Sequence, residues 1–202
     1  MAKSTYHHGN LHDALINAAE DLLDSAGHEG LSLRGLARKA GVSQTAPYRH
    51  FADKDALLIK VATRGFMDFT EALQKAVDAA AAQPPRDQLA ALGRAYIDFS
   101  QQRSGVFHLM FLSDLLPKCA DREMVEAATA SFQVLARVVA NCQGKADPLP
   151  SDATVVASWA MMHGLAMLLT HDVIHNKMTG NLSRAQIIDA ITRMLLVTPP
   201  AG

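Results

Sequence analysis

Apolar residues recur at spacings of three and four from one end of the chain to the other, and no stretch of useful length alternates with period two. The pattern predicts an all-α protein of about nine helices. The first is expected from about Leu11 to Ala26, with Asn10 as cap, Asp13 as the acidic partner of a capping box, and Gly27 past its end. Leu11, Leu15, Ala18, Leu22 and Ala26 form its inner stripe. The second follows Ser32 as a cap, carries Leu33, Leu36 and Ala37 inward and stops at Gly41. Beyond Gly41-Val42, Ser43 is placed to cap a third short helix from Gln44 to His50 or Phe51. A long fourth helix, Lys54 to roughly Ala82, lines Leu57, Leu58, Val61, Phe66, Phe69, Leu73, Ala76 and Val77 along one side. At 1.5 Å per residue it reaches about 40 Å, more than the width of a small domain, and so is expected to join two bodies. Pro84-Pro85 is expected to end it.

Beyond the prolines the periodicity continues as a second helical body. One helix shows Leu89, Leu92, Tyr96 and Phe99, and a shorter irregular stretch carries Val106, Phe107, Met110, Phe111, Leu115 and Leu116 before Pro117. Another shows Val125, Ala128, Phe132, Leu135 and Val139. Gly144, Pro148 and Pro150 mark a loop, followed by an apolar helix from about Asp152 to His175 and a turn around Gly180. Ser183 and Gln186 are placed to open the last helix with a capping box, and Ile187, Ile188, Ile191 and Leu195 form its stripe. There is no internal repeat. The boundaries expected are a head over 6–69 and a body over 85–198.

Bulk charge adds little, because nineteen Lys and Arg stand against twenty Asp and Glu. Its distribution adds more. From Leu31 to Lys60 the charged residues are Arg34, Arg38, Lys39, Arg49, Lys54 and Lys60 against Asp53 and Asp55, whereas Met1 to Gly30 holds Lys3 against five acids. The basic window covers the second and third helices and the start of the fourth, where a local nucleic-acid footprint would lie. Two cysteines, Cys119 and Cys142, fall far short of a disulfide scaffold and suit a reducing cytoplasm. The N-terminal MAKSTYHHGN lacks the apolar core of a signal peptide. Ala153 to Thr170 is uncharged, yet it holds Ser158, Trp159, His163 and Thr170 and lacks basic flanks, so it reads as a buried helix rather than a membrane span.

Two short helices joined through Ala40-Gly41-Val42-Ser43 have the form of a helix-turn-helix, in which glycine lets the chain reverse sharply. Its second helix is rich in groups suited to a major groove. Gln44 and Arg49 are candidates for base edges; Ser43, Tyr48, His50 and Lys54, with Arg34, suit phosphate oxygens; Thr45 lies among them. Pro47 falls inside this helix, where it is expected to remove about one hydrogen bond, and its ring could meet a thymine methyl. Tyr48 could instead pack within the head, and His50 could serve only as a cap.

The run from Ser32 to Leu58, SLRGLARKAGVSQTAPYRHFADKDALL, closely resembles the DNA-binding domain of the tetracycline-repressor (TetR) family of bacterial regulators, the likeness extending over roughly Tyr6 to Phe69. Tyr48, the pair His50-Phe51 and Lys54 match positions that recur in that family. Trp159 with His163-Gly164 resembles the Trp…His-Gly signature of one branch. The resemblance implies a three-helix DNA-binding head, a helical ligand-binding and dimerisation body, and repression of a palindromic operator relieved by a small-molecule effector.

The rest of the chain offers weaker candidates. Tyr96, Phe99, Phe107, Met110, Phe111, Trp159 and His163 are the expected effector contacts. A homodimer is expected because one short reading helix contacts too few base pairs, and its interface is expected on Val155, Val156, Trp159, Met162 and Leu169 with Ile187, Ile191 and Leu195. His171 and His175, and His8 and His12, have helical spacing for a metal, but two ligands do not make a site. No metal or other cofactor is expected, no membrane partner, and no enzyme motif is present: the chain lacks His-Glu-x-x-His, Gly-x-Ser-x-Gly and a phosphate-binding glycine loop.

Overall fold

Local capping chemistry decides where several of the helices begin. The computed structural model describes residues 8–26, 31–113, 121–142, 151–170 and 182–194, and among these every regular element is helical. They are α1 (His8–Ala26), α2 (Leu33–Lys39), a 3-10 turn (Ala46–Arg49), α3 (Lys54–Ala79), α4 (Pro85–Gln102), α5 (Ser104–Leu112), α6 (Arg122–Cys142), α7 (Ser151–Thr170) and α8 (Arg184–Met194). Ser32 Oγ accepts from the Gly35 amide at 3.1 Å and so caps α2. Asp53 Oδ1 does the same for α3, accepting from Ala56 N at 2.8 Å. Ser183 and Gln186 form a reciprocal capping box before α8: Ser183 N donates to Gln186 Oε1 at 2.7 Å and Gln186 N to Ser183 Oγ at 3.2 Å. Two sequence expectations shift. α1 starts at His8, so Asn10 lies inside it and Asp13 faces Arg64 instead of completing a cap. α3 ends at Ala79, before the prolines, and Pro85 opens α4, a position that tolerates its missing donor.

The chain divides into two compact units, residues 1–66 with 103–126, and 67–102 with 127–202. Residues 103–126, read from the sequence as part of the second body, group with the first unit. In that unit Leu11, Leu15, Ile16, Ala18, Ala19 and Leu23 of α1 are buried with Leu33, Leu36, Phe51, Leu57, Leu58 and Val61. A fully buried leucine such as Leu15, Leu36 or Leu57 contributes about 2 kcal/mol. Helix α5 docks on the end of α1 by an unusual cap. Arg103, the residue before α5, supplies no side-chain cap. Asp24 of α1 supplies it from across the unit: its Oδ1 accepts from Gly105 N at 2.9 Å and Val106 N at 3.1 Å, and its Oδ2 accepts from Arg103 Nε at 2.9 Å. Approach this close requires glycine, since a Cβ on Gly105 would run into the carbonyl of Leu23. Arg103 also pairs with Glu20 at 3.1 Å, and Arg64 reaches Asp13 at 3.2 Å and the Asn17 side-chain oxygen. Lys60 bridges Asp121 and Glu123; the Glu123 hydrogen bond holds the ammonium above its ordinary range. The Met124 amide, with the same lysine, pulls the Asp121 carboxyl below its own.

The second unit is held by apolar surface and rings. Leu89, Leu92, Tyr96, Ile97 and Phe99 of α4 are buried, as the spacing predicted. In α6 the predicted stripe holds at its C-terminal end, where Leu135 and Val139 are buried, and fails at two positions before it. Val125 and Phe132 are exposed, whereas Met124, Ala127, Ser131, Val134 and Val138 are buried. Two apolar stripes about 100° apart compete on this helix, and periodicity alone does not choose between them. Helix α7 departs in the same manner. Val155 and Met162, expected at a dimer interface, are buried in the protein's own core with Ser158, Leu165 and Ala166. The opposite face leaves Ala153, Ala157, Ala160, Met161, Gly164 and Leu168 exposed, with Val156 and Trp159 at its edge, so α7 is buried on one side only. Leu169, Ile187 and Ile191 are half-buried. Leu195, Cys119, His171 and His175 lie outside the described residues.

Candidate nucleic-acid interface

The segment after α2 is built by backbone hydrogen bonds that the sequence permits at few other places. Gly41 takes φ of 69°, the left-handed region, just past the end of α2. Its amide donates to Arg38 O at 3.2 Å, and Val42 N donates to Ala37 O at 3.0 Å, which turns the chain back on itself. Ser43 does not cap a helix with its side chain: its carbonyl accepts from Ala46 N at 3.0 Å, and its hydroxyl bonds that of Thr45 at 3.2 Å. The expected α-helix is here a single 3-10 turn, Ala46–Arg49, with Thr45 at its head. Proline explains the difference. Pro47 falls in the first turn, where its missing donor removes no intrahelical bond, and its carbonyl accepts from both His50 N (2.9 Å) and Phe51 N (3.0 Å).

This turn sorts its side chains cleanly. Pro47 and Phe51 are buried, so the proline ring is an inward anchor and not the thymine contact expected of it. Arg34, Ser43, Gln44, Thr45, Tyr48 and Arg49 are exposed, and Tyr48 keeps 51% of its surface. Tyr48 therefore does not pack within the head. His50 and Lys54 are half-exposed. The His12 ring stacks on Phe51 at 5.0 Å and meets His50 edge-on at 6.2 Å, so the base of the turn is fixed to α1. Arg38 and Lys39 add exposed positive charge, with Lys39 reaching Asp21 at 3.7 Å, a long and solvent-exposed pair of little energetic weight.

The expected effector residues divide between the units. Phe107, Met110 and Phe111 belong to the first, where Phe111 meets Phe66 at 5.3 Å and Phe107 at 4.8 Å. Tyr96, Phe99, Trp159 and His163 belong to the second and do come together. Tyr96 Oη and His163 Nδ1 are 2.9 Å apart, Trp159 and His163 rings 6.2 Å, and Phe69 meets Tyr96 at 5.1 Å and Phe99 at 5.0 Å. Phe132 of α6 joins through Trp159 at 6.0 Å. Burial pushes the Tyr96 hydroxyl well above its usual range and the His163 imidazole below its own, so both are neutral near pH 7. Phe69 and Phe132 were missed as members because their spacing marks them equally well as ordinary core. The second unit also carries an open groove of about 940 Å³ between α3 and α6, lined by Met67, Glu71, Lys75, Ala130 and Arg137 among others. Among the described residues, no three His, Cys, Asp or Glu side chains gather as metal ligands.

Two family descriptions match the chain: "Bacterial regulatory proteins, tetR family" over residues 15–61, and "Tetracyclin repressor-like, C-terminal domain" over residues 89–194. A solved structure of a protein of unknown function from Rhodococcus sp. RHA1 is 33% identical, with a TM-score of 0.79, covering 96% of this chain and 97% of that one. The Escherichia coli tetracycline repressor protein class C is 50% identical over 46 residues, 23% of this chain and 21% of its own length. An uncharacterized HTH-type transcriptional regulator of Bacillus subtilis (strain 168), YobS, is 26% identical over 98 residues, 48% of this chain. The chain thus spans half or less of the length of these two curated relatives. The second family match alone covers more than half of the chain, and the exposed polar turn lies inside the first. The chain belongs to the TetR family of bacterial regulatory proteins, with a helix-turn-helix head of the tetR type.

Proposed function

We propose that the chain is a homodimeric cytoplasmic repressor that reads a palindromic operator through residues 43–50 and leaves it when a small molecule enters the second unit. The observation that carries the DNA reading is the outward display of Ser43, Gln44, Thr45, Tyr48 and Arg49 over the inward anchors Pro47 and Phe51. Gln44 and Arg49 take the base edges, since their planar ends match adenine and guanine bidentately. Ser43, Tyr48, His50 and Lys54 hold phosphates, and Arg34 holds another from the start of α2. Thr45 keeps Ser43 in place through their shared hydrogen bond.

A single turn of this length reads too few base pairs for useful specificity, and a twofold pair doubles the site. The surface best suited to the second copy is the exposed face of α7, Ala153, Ala157, Ala160, Met161, Gly164 and Leu168. This helix has the length and composition to cross a membrane. Its small residues suit a close helix-helix seam in water equally well, and operator binding needs the twofold copy. Effector then favours a dimer shape whose heads no longer meet successive major grooves.

Band shifts on a fragment spanning the chain's own promoter, repeated over a panel of small molecules, test this reading. The expected result is one dimer per palindrome, and a molecule that weakens DNA binding by the same factor as DNA weakens its own binding. Effector affinity that is equal with and without operator contradicts the mechanism.

A further inference from the structure

We propose that His12 of α1 is a positioning residue for DNA reading: its ring holds the turn Ala46–Arg49 in the orientation that brings Gln44 and Arg49 to base edges. This rests on the reading of residues 43–50 as the base-reading segment. A single 3-10 turn fixes little by itself. Ala46–Arg49 is four residues long, and the hydrogen bonds at its end are the two that Pro47 O accepts from His50 N and Phe51 N. Its orientation therefore depends on what its inward side touches. Pro47 and Phe51 form that side, and Phe51 is only 3% exposed. The His12 imidazole lies on Phe51 with ring centroids 5.0 Å apart and planes 22° apart, a stacked pair, and it meets the His50 ring edge-on at 6.2 Å and 63°. His50 and Phe51 are themselves 6.5 Å apart. The three rings form one cluster directly after Arg49 in the chain.

Two contacts hold the His12 ring, and they differ in weight. Nδ1 donates to Asp13 Oδ1 at 3.2 Å, because a carboxylate only accepts, and the same oxygen takes Arg64 Nη2 of α3 at 3.2 Å. Asp13 is exposed, so this bond contributes little. The other contact lies against a ring fixed in the core, where a flat imidazole has one seat and an aromatic pair contributes beyond the area it buries. The stack, not the hydrogen bond, is therefore the positioning contact. Base readout needs its side chains held to within about 0.5 Å, whereas attraction to phosphates survives small displacements. A loosened turn loses its preference for one sequence before it loses its affinity for DNA in general.

The test separates the two contacts by substitution in the full chain. Binding to the palindromic duplex of the chain's own promoter and to a scrambled duplex of equal length is measured at several salt concentrations, with the fold of each variant checked by circular dichroism at the assay temperature. His12→Ala removes both contacts, and His12→Asn keeps a donor toward Asp13 without the ring. Each should weaken the palindrome about fivefold and the scrambled duplex less than about twofold, with the salt slope unchanged. His12→Phe keeps the ring without the donor and should stay within about twofold of the parent on both duplexes. Added to Gln44→Ala and Arg49→Ala together, His12→Ala should cost little more, because the side chains it positions are gone. The proposal is overturned if His12→Ala binds the palindrome like the parent, or if His12→Phe is as weak as His12→Ala. It is also overturned if His12→Ala weakens both duplexes alike with a shallower salt slope, the mark of a phosphate contact made by His12 itself. Preference for the palindrome that survives the loss of both Gln44 and Arg49 overturns the base-reading proposal and this one together. Preference lost there and kept in His12→Ala overturns this one alone.

Discussion

In the first unit charge joins the helices: Asp24 caps α5 from α1, Arg103 reaches Glu20 and Asp24, and Lys60 bridges Asp121 and Glu123. In the second, rings do much of that work, from Phe99 through Tyr96 and His163 to Phe132. The two kinds of contact teach different things about the molecule. Directed hydrogen bonds from a carboxylate to two successive amides fix one register of α5 on α1 and tolerate little displacement. Ring contacts are less directional and admit repacking around an incoming molecule. A DNA reader needs the first property, and the effector site proposed for the second unit needs the second.

The comparison can be broken most severely at Gly105. Gly105→Ala drives a Cβ into the Leu23 carbonyl and should cost about 3 kcal/mol, read as a lowered urea midpoint. The control is Gly164→Ala, where nothing lies within 4 Å of the added carbon. In the monomer that substitution should leave stability unchanged or raise it by up to about 1 kcal/mol through helix propensity, and a loss seen only in the dimer would place Gly164 in the seam. A smaller effect is expected from Asp24→Ala, about 1 to 2 kcal/mol for the lost cap, with partial recovery in Asp24→Asn because the amide oxygen still accepts. If Asp24→Ala melts like the parent, the trans cap is not what holds α5.

The smallest effect sharpens the contrast through pH. His163 has a folded pKa below its ordinary 6.5, so its contribution is full above that value and is lost as pH falls through it toward the folded pKa. The Trp159-monitored melting temperature should therefore fall between about pH 7.5 and about pH 5.5, and fall less in His163→Gln. An equal fall in both proteins would assign the pH dependence to other groups.

Some helix ends were legible in the sequence from their caps, though Asn10 lies inside α1 and Ser43 precedes a 3-10 turn instead of an α-helix. Ser32, Ser183 with Gln186, and Gly41 each sit where their chemistry placed them. Helix faces were less legible. In α6 and α7 apolar residues surround most of the helix, so Met124 and Val134 competed with Val125 and Phe132 for the core, and Val155 and Met162 looked available for a partner. Tertiary packing settles such ties, and no single-sequence period contains it. The exposure of Ser43, Gln44, Thr45, Tyr48 and Arg49 was legible in the sequence, whereas the inward ring of Pro47 follows from the 3-10 geometry that proline itself brings about. The Asp24 cap had no sequence signal, because its partners lie 81 and 82 residues away.

The central claim is that residues 43–50 read base sequence from the outside of the head. Its most direct test is fluorescence anisotropy on the operator and on a scrambled duplex, from about 50 to about 200 mM salt. Arg49→Ala and Gln44→Ala should each lose about 1 to 3 kcal/mol on the operator and little on the scrambled duplex, while Lys54→Ala weakens both and flattens the salt slope. Operator preference that survives in Arg49→Ala and Gln44→Ala alike would contradict the account.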